Sequence, residues 1–235
     1  MIERTRAASL ADLPLLSDRQ PKALRIENRP SGNPSIWLHD DAKLAAWIMV
    51  NVGERDWCKL AYQLGHELGH VLANSWERDA KPAAPCQWLE ECVAESFSIR
   101  GLRLLAHSWA ANPPFAHDQA FARAILDYRS DLLARYAEIA RTQDIATDSR
   151  AWYRGHSTDL EQIGRAASAP GALVPALLKT LEADNACVAD IGALNRWPGR
   201  TALPLPAYLD AWSASCRALG TSGGLPRALR GMLLA

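Results

Sequence analysis

The segment Gly65-His66-Glu67-Leu68-Gly69-His70 sets two imidazoles four residues apart, with a carboxylate directly after the first. In a helix, residues at that spacing differ by about 40° in azimuth and ~6 Å in rise, so both rings leave one face. Two such rings can grip a single cation, with Zn–N distances of about 2.0–2.1 Å. Glu67 falls at the edge of the same face. It is badly placed to bind the ion beside both histidines, but well placed to take a proton from water at the ion's open corner. A chance H-E-x-x-H is expected roughly once in a hundred sequences of this kind. The competing reading, two histidines spaced by four through coincidence, is weakened because the motif lies in an amphipathic helical run.

Two histidines leave a catalytic zinc site one protein ligand short. The continuation H-x-x-G-x-x-H is excluded, because Ala73 and Trp76 stand where it needs Gly and His. A later helical pattern, reading WLEECVAESF, offers Glu90, Glu91 and Glu95. Consecutive helical residues diverge by about 100°, so Glu90 and Glu91 cannot both face the ion. Glu91 has Glu95 one turn on, so one carboxylate could bind metal while the other steadies a ligand histidine. Glu90 has Ala94 there and no such support. The expected set is therefore His66, His70 and Glu91 on one Zn2+ per chain, Glu95 behind them and Glu67 as general base, with Glu90 the alternative third ligand. Zinc content should fall strongly with Glu91→Ala and little with Glu90→Ala.

Other candidates carry less. Trp152-Tyr153-Arg154-Gly155-His156 reads as a polar, aromatic loop from which Tyr153 or His156 could stabilise an oxyanion, against the plainer reading of a loop packed on the surface. His39 with Asp40 and Asp41 reads as a solvated turn ahead of a second ion site. Cys92, beside Glu91, reads as small core filler.

The elements that must position these residues follow from pattern. Lys22 to Asn28 alternates as a strand, Arg29 to Pro34 is dense in turn residues and reads as a hairpin connection, and Ser35 to His39 would return. Leu44 to Val52 is a further strand. From about Arg55 to Asn74 apolar residues recur at three and four, which is helical. Gln87 to about Trp109 and His117 to Thr142 repeat that pattern. Shorter helices are expected near Thr158 to Ala167, Ala172 to Ala183 and Ala207 to Leu219. With strands confined to the first part, the layout is α+β: a metal-bearing part over residues 1–112 with a short antiparallel or mixed sheet, then a mainly helical part over 113–235 that packs on or frames the cleft.

The zinc motif with a downstream glutamate helix resembles the gluzincin metallopeptidases, and most closely the ImmA/IrrE-type group. That pattern has a strand ending in Asn, a helix with H-E-L-G-H-x-L, and a helix reading E-x-x-A-[N/D]-x-F-A. This chain offers Trp47 to Asn51, then HELGHVL, then Glu91-Cys92-Val93-Ala94-Glu95-Ser96-Phe97-Ser98. Glu95 and Ser98 depart from it. The likeness covers roughly residues 44 to 105. It implies a zincin-like fold in which the strand before the active-site helix receives an extended peptide by β-addition.

Composition bounds the rest. The chain has 235 residues, 26 Lys plus Arg and 26 Asp plus Glu, so it carries no net charge to gather nucleic acid. No apolar run is long enough to span a membrane. The five cysteines form no C-x-x-C, and the first twenty residues do not read as a secretory signal, so a cytoplasmic setting is expected. The expected activity is zinc-dependent hydrolysis of peptide bonds, within chains rather than at their ends, with a protein or peptide substrate and a regulatory partner or inhibitor as a further expectation. Two rivals stand beside it: a zinc-bearing interaction module without turnover, and a zinc hydrolase acting on a small non-peptide amide.

Overall fold

The segment AAWIMV is the most apolar of the strand patterns, and it takes the centre of the sheet. In the computed structural model, which describes all residues except 12, 14–19, 39–44, 78, 82, 117, 164–169 and 235, three strands form: β1 (Ala23–Asn28), β2 (Ser35–Ile36) and β3 (Ala45–Val50). β1 lies parallel to β3 along its length and β2 lies antiparallel to it, giving the order β1-β3-β2. The expected β1–β2 hairpin is thus corrected, since β3 comes between them. Burial explains the order: Ala46, Ile48 and Val50 are sealed in the core. A strand this buried is best flanked on both edges, whereas polar β1 and the two-residue β2 tolerate an open edge.

Nine helices follow or flank the sheet among the described residues: α1 (Ile2–Ser9), α2 (Trp57–Leu72), α3 (Gln87–Ala111), α4 (Ala120–Thr142), α5 (Ser149–Ile163), α6 (Val174–Ala183), α7 (Asn185–Ala189), α8 (Leu205–Leu219) and α9 (Gly224–Leu233). The layout is α+β, with a small mixed sheet and a helical majority. α3 is the hub. Most of its residues are buried, with Trp88, Phe97, Ile99 and Leu105 all sealed in, and it packs against α1, α2, α4 and α6. The hydrophobic core runs from Ile48 through Trp88 and Phe97 to Leu177, Trp212 and Leu229, so it crosses residue 112 without a break. Residues 152–156, expected as a loop, lie inside α5. No helix among the described residues is long and apolar enough to cross a membrane.

Side-chain ties fix how the later helices sit on the hub. Glu182 of α6 accepts from Arg103 of α3 at 2.8 Å and from Arg129 of α4 at 3.0 Å. Buried Asp190 takes hydrogen bonds from the Gly223 and Leu225 amides at the start of α9 and from the Ser222 hydroxyl. Just past α2, Asn74 donates to the Gly192 and Leu194 carbonyls at 3.1 and 2.8 Å. That bond seats the 190–195 segment against the end of the histidine helix.

The approach of α2 to α3 depends on two glycines within the histidine motif. A Cβ on Gly69 would lie 2.8 Å from the Ala94 Cα, and one on Gly65 would lie 2.9 Å from the Ser98 Oγ. The Ser98 hydroxyl donates to the Tyr62 carbonyl at 2.6 Å, bonding one helix directly to the backbone of the other. Gly69→Ala should therefore cost about 1–3 kcal/mol by forcing backbones apart. Gly155→Ala, whose Cβ meets nothing within 4 Å, should be neutral or gain up to about 1 kcal/mol, as Ala does over Gly in a helix. Chemical unfolding of the two variants checks this, and equal effects would contradict it.

Candidate metal centre

His66 and His70 lie one turn apart on α2, and Glu91 faces them from α3. The His66 Nε2 is 3.2 Å from the His70 Nε2 and 3.2 Å from the Glu91 Oε2, which is 3.5 Å from the His70 Nε2. Four ligands placed tetrahedrally at 2.0–2.1 Å from an ion stand about 3.3–3.4 Å from one another. The three atoms thus already stand at the spacing of three corners of a zinc-sized tetrahedron. Among the described residues these three side chains form the one cluster able to hold a metal ion.

Each imidazole is braced from behind. The His66 Nδ1 meets the Glu95 Oε2 at 3.0 Å, and the His70 Nδ1 meets the Glu90 Oε1 at 2.8 Å. A carboxylate only accepts, so each Nδ1 carries the proton and, in the neutral ring, each Nε2 offers a lone pair to the centre. Glu95 also accepts from the Tyr62 hydroxyl at 2.6 Å and from Tyr136 of α4. Glu95 therefore holds the bracing place expected of it. Glu90 corrects the sequence reading in one respect: it is not without support, because its carboxylate lies behind the second histidine and bonds its Nδ1. The step of about 100° between Glu91 and Glu90 turns Glu90 away from the two Nε2 atoms and towards the back of His70.

Charge at the centre follows from this crowding. Burial works against a charged His66, yet Glu91 and Glu95 more than reverse it and raise the imidazole to about 10. His70 is raised in the same way, against burial, by Glu91 and Glu90. Burial would lift the Glu91 carboxyl, but His70 and His66 hold it well below the usual carboxylate range. Glu67 differs. Burial raises its carboxyl, with only partial relief from His66 and His70. It lines the same cleft, and among the described residues it has no hydrogen-bond partner. It is the one carboxylate here held in reserve.

The cleft has a volume of about 690 Å³. Its floor is the four acids and two histidines, and its rim is Asn33, Pro34, Ser35 and Ile36. Asn51 holds this rim in place. Its backbone exchanges two hydrogen bonds with the Gln63 side chain of α2, at 2.8 and 3.1 Å, and its own amide donates to the Gly32 carbonyl at 2.7 Å. The strand-end Asn thus ties β3, the histidine helix and the rim together. β3 itself cannot take an added peptide strand, being paired with β1 on one side and β2 on the other, with the Trp37 amide also bonded to the Trp47 carbonyl. Among the described residues, the strand edge beside the cleft that has no further strand on it belongs to β2.

Tyr153 and His156 do not join the centre. Tyr153 is buried against Trp88 and donates to Glu161 at 2.9 Å, while His156 stacks on Trp152 and bonds the Trp152 carbonyl. Neither is among the residues lining the cleft. His39, Asp40 and Asp41 lie outside the described residues. Cys92 is buried and donates to the Pro170 carbonyl, in keeping with a core role. The residues that pattern reading missed are Tyr62 and Gln63, and Glu90 was weighed only as a third ligand, not as a brace. Tyr62 stands one turn before His66, a spacing that could have flagged it.

Comparison of the chain with family models, curated proteins and solved structures returns no match.

The centre predicts a graded response to mutation. Glu91→Ala should abolish tight binding of a zinc ion. Glu90→Ala and Glu95→Ala should each weaken it about 10–100-fold, as loss of a bracing carboxylate does. Zinc titration against a chromophoric chelator measures all three, and wild-type affinity in Glu90→Ala would contradict the brace.

Proposed function

We propose that the protein is a zinc-dependent peptidase of gluzincin type, with His66, His70 and Glu91 as metal ligands and Glu67 as general base. The observation that carries the reading is the convergence of two Nε2 atoms and one carboxylate oxygen within 3.5 Å of one another on the floor of a cleft, with a buried, unpartnered glutamate beside them. On this reading the sheet with α2 and α3 is a zincin-like core of the kind the ImmA/IrrE resemblance implies.

A bound zinc ion would supply Lewis acidity, polarising a carbonyl and making water acidic enough to react near neutral pH. The protein's own groups do the rest. The carboxylates of Glu90 and Glu95 keep both imidazoles in the tautomer and orientation that present Nε2. Glu67, raised by burial, receives the proton of the attacking water and delivers it to the departing amine nitrogen. Its lack of a competing partner leaves its oxygens free for both transfers. The β2 edge gives an extended chain somewhere to lie alongside the ligands. That open edge favours a peptide over a small amide held in a closed pocket. Glu67 also argues against a module without turnover, because a site that only stabilises structure has no use for a base.

Glu67→Gln tests this directly. The variant should keep its zinc and lose peptide cleavage by about 10²–10⁴-fold, the usual worth of a positioned general base. Cleavage of a broad peptide library, read by mass spectrometry for wild type and variant, makes the comparison. Equal cleavage by the two would remove Glu67 from the chemistry. No cleavage by zinc-loaded wild type would favour the interaction module.

A further inference from the structure

Glu90, the brace of His70, is itself held by a residue far along the chain. Its Oε1 meets His70, and its Oε2 accepts from the Asn195 Nδ2 at 2.6 Å. Because a carboxylate only accepts, the atom of Asn195 facing it must be the amide nitrogen. On the other side of the same amide, the Tyr208 hydroxyl donates to Oδ1 at 3.2 Å. The two partners fix the amide in one orientation.

The backbone around Asn195 is arranged to deliver that amide. Asn195 is 1% exposed and sits at φ 58, with Asn74 at φ 62 and Arg200 at φ 46 close by. Left-handed geometry is uncommon outside glycine, and Asn tolerates it best. The three residues form one hydrogen-bonded knot at the end of α2. Arg200 donates to the Asn74 carbonyl at 2.6 Å and to the Ser75 hydroxyl at 3.0 Å, and Asn195 also reaches that hydroxyl at 3.1 Å. Such conformations persist only where surrounding contacts over-determine them, and they cluster at functional sites.

We propose that Asn195 is a positioning residue for the metal centre: by donating to Glu90, it fixes the carboxylate that keeps the His70 Nδ1 protonated and its Nε2 aimed at the ion. This rests on the metal-centre reading above and extends it to the late part of the chain, which reaches the ion through a relay of Asn195, Glu90 and His70. A residue that merely filled the core would serve equally well with any group of the same shape. A relay instead requires a donor facing Glu90.

Asn195→Asp separates the two. It keeps the shape and the tolerance for positive φ, but turns an acceptor towards the Glu90 carboxylate. The test is zinc affinity by chelator competition and the visible spectrum of the Co2+-loaded protein, for wild type, Asn195→Asp and the double variant Glu90→Gln/Asn195→Asp. The double variant restores the bond with donor and acceptor exchanged, and still leaves an acceptor for the His70 Nδ1. Asn195→Asp should bind zinc about 10–100-fold more weakly, with an altered Co2+ spectrum, and the double variant should bind more tightly than Asn195→Asp alone. If Asn195→Asp does not fold, Asn195→Gly, which keeps the backbone and deletes the amide, should show the same loss. Wild-type affinity and spectrum in Asn195→Asp, or in Asn195→Gly where it stands in, would overturn the relay while leaving the metal centre intact. A double variant no better than Asn195→Asp would do the same. Failure of the wild-type chain to bind zinc would overturn both readings.

Discussion

Three electron-pair donors aimed at one point repel each other unless something positive lies between them. His66, His70 and Glu91 are in that position, with their inward atoms 3.2 to 3.5 Å apart. The obvious escape, rotation of a ring, is closed because each Nδ1 is bonded to a buried carboxylate. Only two remedies remain: protons on the imidazoles, or a cation. Glu91, Glu95 and Glu90 raise both histidines against their burial, so the surrounding carboxylates favour positive charge at this point. A divalent ion meets the same demand with one charge centre and uses all three donors at once.

Everything around the centre serves to keep that crowding from relaxing. Gly65 and Gly69 let the backbones of α2 and α3 close to a distance that side chains would prevent. α4 adds Tyr136 behind Glu95, and the segment after α7 adds Asn195 behind Glu90. Residues beyond 112 therefore support the site from behind, though none of them lines the cleft among the described residues. This also explains why α3, buried over most of its length, carries three glutamates in its first nine residues. The acids are affordable in the core because each of the three meets an imidazole.

The parts of this arrangement written in local spacing were legible in the sequence. An i, i+4 histidine pair, a glutamate one step on, and a Glu91–Glu95 pair on a second helix each follow from the 3.6-residue period alone. The α+β class followed from where alternation stops and helical recurrence begins. What was not legible depended on contacts between distant segments. The 29–34 turn looks like a hairpin connection in isolation, and only competition for the buried central position puts β3 between β1 and β2. Glu90 looks idle until the back of His70 is seen beside it. Tyr153 and His156 look like a polar loop until α5 packs Tyr153 on Trp88. Asn195 has no neighbour in sequence that hints at its place, since its partners are Ser75 just past α2, Glu90 of α3 and Tyr208 of α8.

The most direct test of the account is the coordination shell itself, read by X-ray absorption at the zinc edge of the zinc-loaded protein. The account predicts four light-atom ligands at about 2.0–2.1 Å, with the multiple scattering of two imidazoles and no sulfur. A sulfur shell near 2.3 Å, or a shell without two imidazoles, would contradict it.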